Sequence, residues 1–169
     1  GLAGAIFHRF YAPAFLERWN RRMMELLIGV PAVIFGFWGL MVVVPVIVRF
    51  VPETSGQSLL AGGIVLGLMI LPLIALTSQA ALQSVPVAQM QASAGLGLGR
   101  ARTIWSVALP AAKGGITTGV LLALARAVGE TMAVVLVCGN IPQIPGSLLD
   151  PIRPITSTIA LEMGYATAS

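Results

Sequence analysis

Long apolar runs alternate along this chain with short segments that carry nearly all of its charge. The runs cover residues 26–48, 59–82 and 115–137. Each is long enough for a helix to cross the roughly 30 Å hydrocarbon core of a bilayer, which takes about 20 residues. The pattern therefore predicts an all-α integral membrane protein with three full spans in a single domain over residues 1–169.

Prolines interrupt two of these runs, with Pro31 and Pro45 in the first and Pro72 in the second. An interior proline breaks a helix in water because it lacks the N–H and its ring meets the carbonyl four residues back. Bundled membrane helices tolerate it where neighbours satisfy the freed backbone. We therefore expect the runs to remain helical. After residue 139 the chain is rich in Pro and Gly and then turns helical in character.

The connecting segments differ in charge. Residues 8–25 and 83–114 carry a basic excess, the link between the first two runs is neutral, and the tail from residue 139 is slightly acidic. Cytoplasmic loops of membrane proteins are enriched in Lys and Arg. This alternation predicts that residues 8–25 and 83–114 lie in the cytoplasm and the other two segments outside.

Composition supports the membrane assignment and excludes other classes. Hydrophobic residues make up 57% and charged residues 9% of the chain, whereas a soluble domain carries roughly 25% charged residues. The net charge of +4 lies mostly in short links, which argues against a nucleic-acid-binding surface. A lone Cys138 and a lone His8 leave no internal disulfide and no metal cluster, and we expect no bound cofactor.

Two charges stand inside the third run, at Arg126 and Glu130. On a helical wheel of about 100° per residue they share one face with Gly115, Gly119 and Ala123. Small residues at this spacing let membrane helices approach closely. The opposite, bulky face is expected to meet lipid; it is formed by Leu121, Leu124, Val128, Met132 and Val135.

A charge at the centre of a membrane helix costs about 2.5 to 3.5 kcal/mol, so Arg126 is predicted to point into the protein. One interpretation is a pair with Glu130 that merely neutralises itself, although Arg before Glu is the weaker order at i, i+4. The other is an anion pathway, in which the guanidinium presents a fork of donors to an oxyanion.

The sequence of residues 83–113 predicts a helix, a Gly-rich turn and a second helix that ends at Pro110. Its glycines do not have the G-x-G-x-x-G spacing of a dinucleotide site, and the chain has no P-loop. A hairpin that exposes Trp105 and neighbouring apolar residues is typical of a docking surface, and an amphipathic link lying on the membrane is the alternative.

This link resembles the coupling loop of bacterial ABC importer permeases, whose pattern is E-A-A, three residues, Gly, nine residues, Ile, one residue, Leu-Pro. The matching positions here are Gln91, Ala92, Ser93, Gly97, Val107, Leu109 and Pro110. Gln91 stands where the family has an acid. The stretches "ELLIGVPAVIFGFWGL", "ARAVGETMAV" and "DPIRPITSTIALEMG" together resemble the phosphate-importer permease subunit of the PstC type.

The resemblance implies a MetI-like helical bundle in the bacterial inner membrane that passes inorganic phosphate along Arg126 and Glu130. It implies three partners: a cytoplasmic subunit that binds and hydrolyses ATP, a second permease subunit, and an extracytoplasmic phosphate-binding protein. It also implies spans before residue 1 and after residue 169, so that the chain is a fragment.

Three alternatives stay open. The chain could be a permease of the same architecture for another solute, or the sister phosphate subunit, which membrane-span physics does not separate. An intramembrane enzyme would need a nucleophile–base pair or a metal set within the spans. Thr117, Thr118 and Ser78 are present there, but no histidine or second carboxylate accompanies them.

Overall fold

A computed structural model describes residues 1–166 as helices joined by short links, as the apolar runs predict. Within these residues the only extended pairing is a single parallel bridge between Gly139 and Ile152. The helices are α1 (Leu2–Phe10), α2 (Ala14–Gly29), α3 (Ala32–Phe50), α4 (Leu59–Gln83), α5 (Val87–Gly95), α6 (Arg100–Val128), α7 (Met132–Val137) and α8 (Ile155–Ala166).

Three of these helices, α3, α4 and α6, are long and apolar enough to cross a membrane. Their number confirms the prediction, and α4 matches the second predicted run and keeps Pro72 inside it. The first span starts at Ala32 and not at residue 26. Proline disfavours helical geometry in the residue before it, here Val30, so α2 ends at Gly29. Pro31 then caps the new helix, with extended backbone at φ −57° and ψ 137°.

The helix that carries the third predicted span differs from the apolar run 115–137 at both ends. Helix α6 begins at Arg100 and runs for 29 residues to Val128, so the second helix of the coupling segment and the membrane span are one element. Pro110 does not stop it. At the other end the helix breaks over residues 129–131, and the short helix α7 follows.

Widened π-turns let two helices pass through proline. One π-turn covers Gly39–Val43, just before Pro45, and the other covers Ile104–Ala108, just before Pro110. In a π-turn an N–H donates to the carbonyl five residues back, as the Val44 N–H does to the Gly39 carbonyl. This changed pairing accommodates the N–H that the following proline lacks. Single π-turns and prolines are both recognised causes of local helix distortion.

The chain divides into two compact units, of which the first combines Gly1–Ile28 with Leu71–Ala125. Its core is built from small and apolar side chains of α1, α4 and α6, with the link after α4. Small residues allow close approach: a Cβ added to Gly119 would lie 2.6 Å from the Thr77 Cβ, and one added to Gly115 would lie 2.7 Å from the Ala81 Cβ. The small-residue face predicted for the third span therefore packs against a helix.

The second unit combines Gly29–Ile70 with the chain from Arg126 onward. Its core joins α3, the first half of α4 and α7, and it buries Cys138 at 1% exposure. A Cβ on Gly36 would lie 2.7 Å from the Ala133 Cα, and one on Gly62 would lie 2.5 Å from the Cys138 Sγ. Cys138 is therefore a free thiol packed inside this core.

Most of each span is not covered by this chain. Only 28%, 28% and 22% of the most apolar windows of α3, α4 and α6 are buried. Bulky side chains such as Phe37, Leu68 and Leu121 are exposed. Because a water-facing surface of this kind would be strongly unfavourable, these faces meet lipid or other subunits.

The close approach at Gly119 yields a stability prediction. Gly119→Ala should lower the midpoint of thermal unfolding of the full-length chain in detergent, since its Cβ meets the Thr77 Cβ, which cannot move without the backbone. Overpacking of this kind costs about 1–3 kcal/mol. Gly114→Ala on the same helix meets nothing within 4 Å and should be neutral or stabilising. Equal midpoints for the two variants would contradict the close packing.

Candidate functional site: a helix break beside a cavity

Glu130 lies in the break between α6 and α7 and not on a continuous helix with Arg126. Its Oε1 accepts a hydrogen bond from the Ala133 N–H at 3.3 Å, so the carboxylate satisfies one of the donors left open at the start of α7. Its backbone carbonyl accepts a hydrogen bond from the Thr156 Oγ1 at 2.9 Å. Both groups of Glu130 are therefore held by the chain that follows the break.

Arg126 is exposed on the surface of the described chain. The fold of this chain alone does not bury the guanidinium, and its burial between this chain and a partner subunit stays a prediction. Nor do the two charges neutralise each other: within residues 1–166 no ion pair joins Arg126 to Glu130. The helix break explains this, because the i, i+4 geometry that would bring them together ends at Val128.

A cavity of about 260 Å³ opens beside the break. Glu130 and Thr156 supply its polar groups, and the paired glycines Gly62 and Gly63 of α4 leave room for it. The remaining lining is mostly apolar and comes from Leu59, Leu66, Ala127, Val128, Val134, Cys138, Ile152 and Pro154. Arg126 lies next to the lining residue Ala127 in the sequence but does not itself line the cavity.

Hydrogen bonds at the start of α4 satisfy backbone N–H groups next to the cavity. The N–H groups of Ser58, Leu59 and Leu60 donate to the carbonyls of Val137 (3.1 Å), Asp150 (3.0 Å) and Leu148 (2.8 Å). The buried Ser58 hydroxyl oxygen accepts from the Ala61 N–H at 3.2 Å, which is N-cap behaviour. The start of α4 therefore leaves few open donors and holds one wall of the cavity.

The coupling segment forms a helix, a glycine turn and a helix. Gly97 adopts φ +72°. Its N–H donates to the Ala94 carbonyl, and the Leu98 N–H donates to the Ser93 carbonyl, at 2.9 and 3.1 Å. This pair of bonds is the Schellman motif, whose left-handed position favours glycine. The motif gives Gly97 a physical reason to be glycine and ends α5.

The other matched positions of the segment divide between surface and core. Gln91, Ala92 and Pro110 are exposed, Val107 and Leu109 are half-buried, and Ser93 is buried and donates to the Met90 carbonyl at 2.7 Å. Trp105 is 71% exposed, as expected for a docking surface, whereas Ile104 is buried. The structure contains this chain alone, so the coupling role of these residues stays a prediction.

Sequence reasoning missed Thr156, Gly62 and Gly63. The signals were present: a glycine pair inside an apolar run, and the hydroxyl cluster "TST" at residues 156–158, directly after Ile155. Neither indicates a site by itself, because only the folded chain brings them to Glu130. In the described part of the chain no group of three or more His, Cys, Asp or Glu side chains could hold a metal ion.

These features define a class: a multi-pass helical membrane protein with a glutamate lining a cavity beside a helix break and a helix–turn–helix link that exposes an aromatic ring. The chain belongs to the family of binding-protein-dependent transport system inner membrane components, which it matches over residues 1–164. The MetI-like permease fold and the multi-pass placement in the inner membrane follow from this membership.

Curated relatives agree with this membership. The chain is 44% identical over 167 residues to the probable ABC transporter permease protein YqgH of Bacillus subtilis, covering 99% of this chain and 54% of that protein. It is 34% identical to the phosphate transport system permease protein PstC of Pasteurella multocida, covering 96% and 57%. PstC of Mesorhizobium japonicum is also 34% identical, with 98% and 57% covered. These relatives confirm the resemblance to PstC-type permeases, and the chain spans about half of their length.

The hydrogen bond between Thr156 and Glu130 can be tested directly. Thr156→Val should speed amide deuterium exchange at residues 129–132, because removing a donor from the Glu130 carbonyl loosens the break; the expected loss is about 1 kcal/mol. Thr158→Val is the matched control, since that hydroxyl bonds only to the Pro154 carbonyl at the start of its own helix. Exchange at 129–132 that is unchanged by Thr156→Val would contradict a holding role for this bond.

Proposed function

We propose that this chain is part of the membrane-spanning permease of an ATP-driven importer of inorganic phosphate. The observation that carries the proposal is the place of Arg126 and Glu130 in "RAVGETM", at a helix break beside a cavity, in a chain similar to proteins named phosphate transport system permease. In this proposal the chain catalyses no reaction and needs no cofactor of its own, and ATP is bound and hydrolysed by a separate cytoplasmic subunit.

Arg126 supplies the attraction for the anion. Its guanidinium offers a planar fork of donors that matches two oxygens of a phosphate group. Left against lipid, the same charge would cost about 2.5 to 3.5 kcal/mol or more. A second permease subunit that covers this surface with a water-filled route removes that cost. The exposure of Arg126 in the single chain supports such a shared pathway.

Glu130 has the opposite effect. Its carboxylate lines the cavity and repels an oxyanion, which keeps phosphate from resting there. Transport needs a solute to bind well enough to enter and weakly enough to leave. In this proposal Glu130 in the cavity wall and the accessible Arg126, four residues earlier in the chain, provide these two conditions.

Residues 83–113 transmit nucleotide-driven motion in this proposal. The Schellman turn at Gly97 joins α5 to the long helix α6, which runs without interruption from Arg100 to Val128. A push on the exposed Trp105 side of this segment by the ATP-binding subunit would act on the same helix that carries Arg126. The extracytoplasmic partner is a phosphate-binding protein that delivers the anion.

The decisive variant is Arg126→Gln in the full-length chain, assembled with its partner subunits in proteoliposomes. We expect phosphate uptake to fall about tenfold or more, the effect of losing hydrogen bonds to a charged group, while ATP hydrolysis continues. Arg126→Lys should retain part of the uptake, because it keeps the charge and loses the fork.

Arg49→Gln provides the control, since it removes another exposed arginine near a span end and should leave uptake unchanged. Normal phosphate uptake by Arg126→Gln would refute the assigned role. If sulfate, molybdate or an amino acid competed for uptake more strongly than unlabelled phosphate does, the chain would belong to a permease for another solute.

A further inference from the structure

Tyr11 and Glu17, on either side of the connection between α1 and α2, contact the coupling segment at two points. The Glu17 Oε1 accepts hydrogen bonds from the side-chain amides of Gln79 and Gln83, at 3.1 and 3.3 Å. Tyr11 directly follows α1, and the Arg100 Cζ lies 5.6 Å from the centroid of its ring. The segment is therefore contacted where it leaves α4 and again where α6 begins.

The two contacts lie on opposite sides of the glycine-rich turn of the segment. Residues 84–99 between them contain α5 and the turn sequence "GLGLG". Glycine adopts several backbone conformations at little steric cost, so a turn of this composition could bend under a push and absorb it. Contacts on both sides of the turn limit such bending.

Helix α1 also shares a buried core with both helices of the segment. Ala5 of α1, at 3% exposure, belongs to the same buried cluster as Val85 and Ala108, and Phe10 and Met90 pack against that cluster. Apolar burial holds these elements together but has no preferred direction. The polar contacts of Glu17 and Tyr11 therefore set how the segment lies against α1 and α2.

The contact made by Glu17 is the stronger of the two. Gln79 is only 7% exposed, so its amide has little access to water and needs an acceptor within the fold. A carboxylate is a stronger acceptor than a neutral oxygen. Tyr11 is 51% exposed, and a cation–π contact is weaker at an exposed site. Glu17 therefore contributes more than Tyr11 to the attachment.

We propose that Glu17 is a positioning residue for energy coupling, which fixes the coupling segment to α2 through Gln79 and Gln83. With this contact in place, α1, α2 and the segment move together when the ATP-binding subunit acts on the segment. The displacement then reaches α4 and α6 and is not lost in the glycine turn. This inference rests on the proposed transport function and assigns α2 a part in it.

The test measures phosphate transported per ATP hydrolysed, with the full-length chain assembled with its partner subunits in proteoliposomes. Glu17→Ala should lower this ratio about fivefold, the effect of losing a hydrogen bond to a charged group, while ATP hydrolysis continues. Glu17→Gln should retain part of the ratio, because its amide oxygen can still accept from Gln79. An unchanged ratio in Glu17→Ala would overturn the proposal.

Glu25→Ala is the matched control. It removes the other acid of α2, which pairs with the exposed Arg21 at 2.8 Å on the same helix, and it should leave the ratio unchanged. If Glu25→Ala and Glu17→Ala lowered the ratio equally, the charge of α2 and not the contact with α4 would be responsible, and the proposal would be wrong.

Amide deuterium exchange of the full-length protein in detergent separates this inference from the identity of the solute. Glu17→Ala should speed exchange at residues 84–99, and Glu25→Ala should not. Faster exchange in Glu17→Ala, in a complex that carries another solute, would support the positioning role and refute phosphate transport. Exchange at 84–99 that is the same in Glu17→Ala and the wild type would refute the positioning role, whatever the solute.

Discussion

Every polar backbone group within the membrane must find its partner in the protein, because hydrocarbon offers none. Three irregular places in this chain meet that constraint in different ways. Before Pro45 and Pro110 the helices widen into π-turns. At the start of α4 the first N–H groups donate to carbonyls of the segment from Val137 to Asp150. At the break after α6, the Thr156 hydroxyl donates to the Glu130 carbonyl, and the Glu130 carboxylate accepts from the Ala133 N–H.

The third of these solutions separates the two charges in the apolar chain. An unbroken helix would place Arg126 and Glu130 one turn apart on one face, where they could cancel each other. The break turns Glu130 toward the start of α7 and the cavity and leaves Arg126 exposed. In the proposed function a second permease subunit covers this surface, because a bare guanidinium is costly in lipid.

Features that depend on neighbouring residues in the chain could be predicted from the sequence. The number of spans, the all-helical class, the helical tolerance of Pro72 and the close packing at Gly119 were all predictable, because length, apolar composition and residue size act locally. Element ends were less predictable. A proline can cap a helix, as Pro31 does, or lie inside one after a π-turn, as Pro110 does, and the difference depends on whether nearby backbone can satisfy the freed groups.

By itself, then, the sequence determined a membrane-embedded helical chain with two ionisable residues inside its third apolar run. Only the tertiary structure decided that Thr156 meets the Glu130 carbonyl, 26 residues away, and that Gly62 and Gly63 open a cavity there. Apolar periodicity reports which side of a helix avoids water. It does not report which distant backbone group will fill an open hydrogen bond, because that partner is chosen by packing between helices.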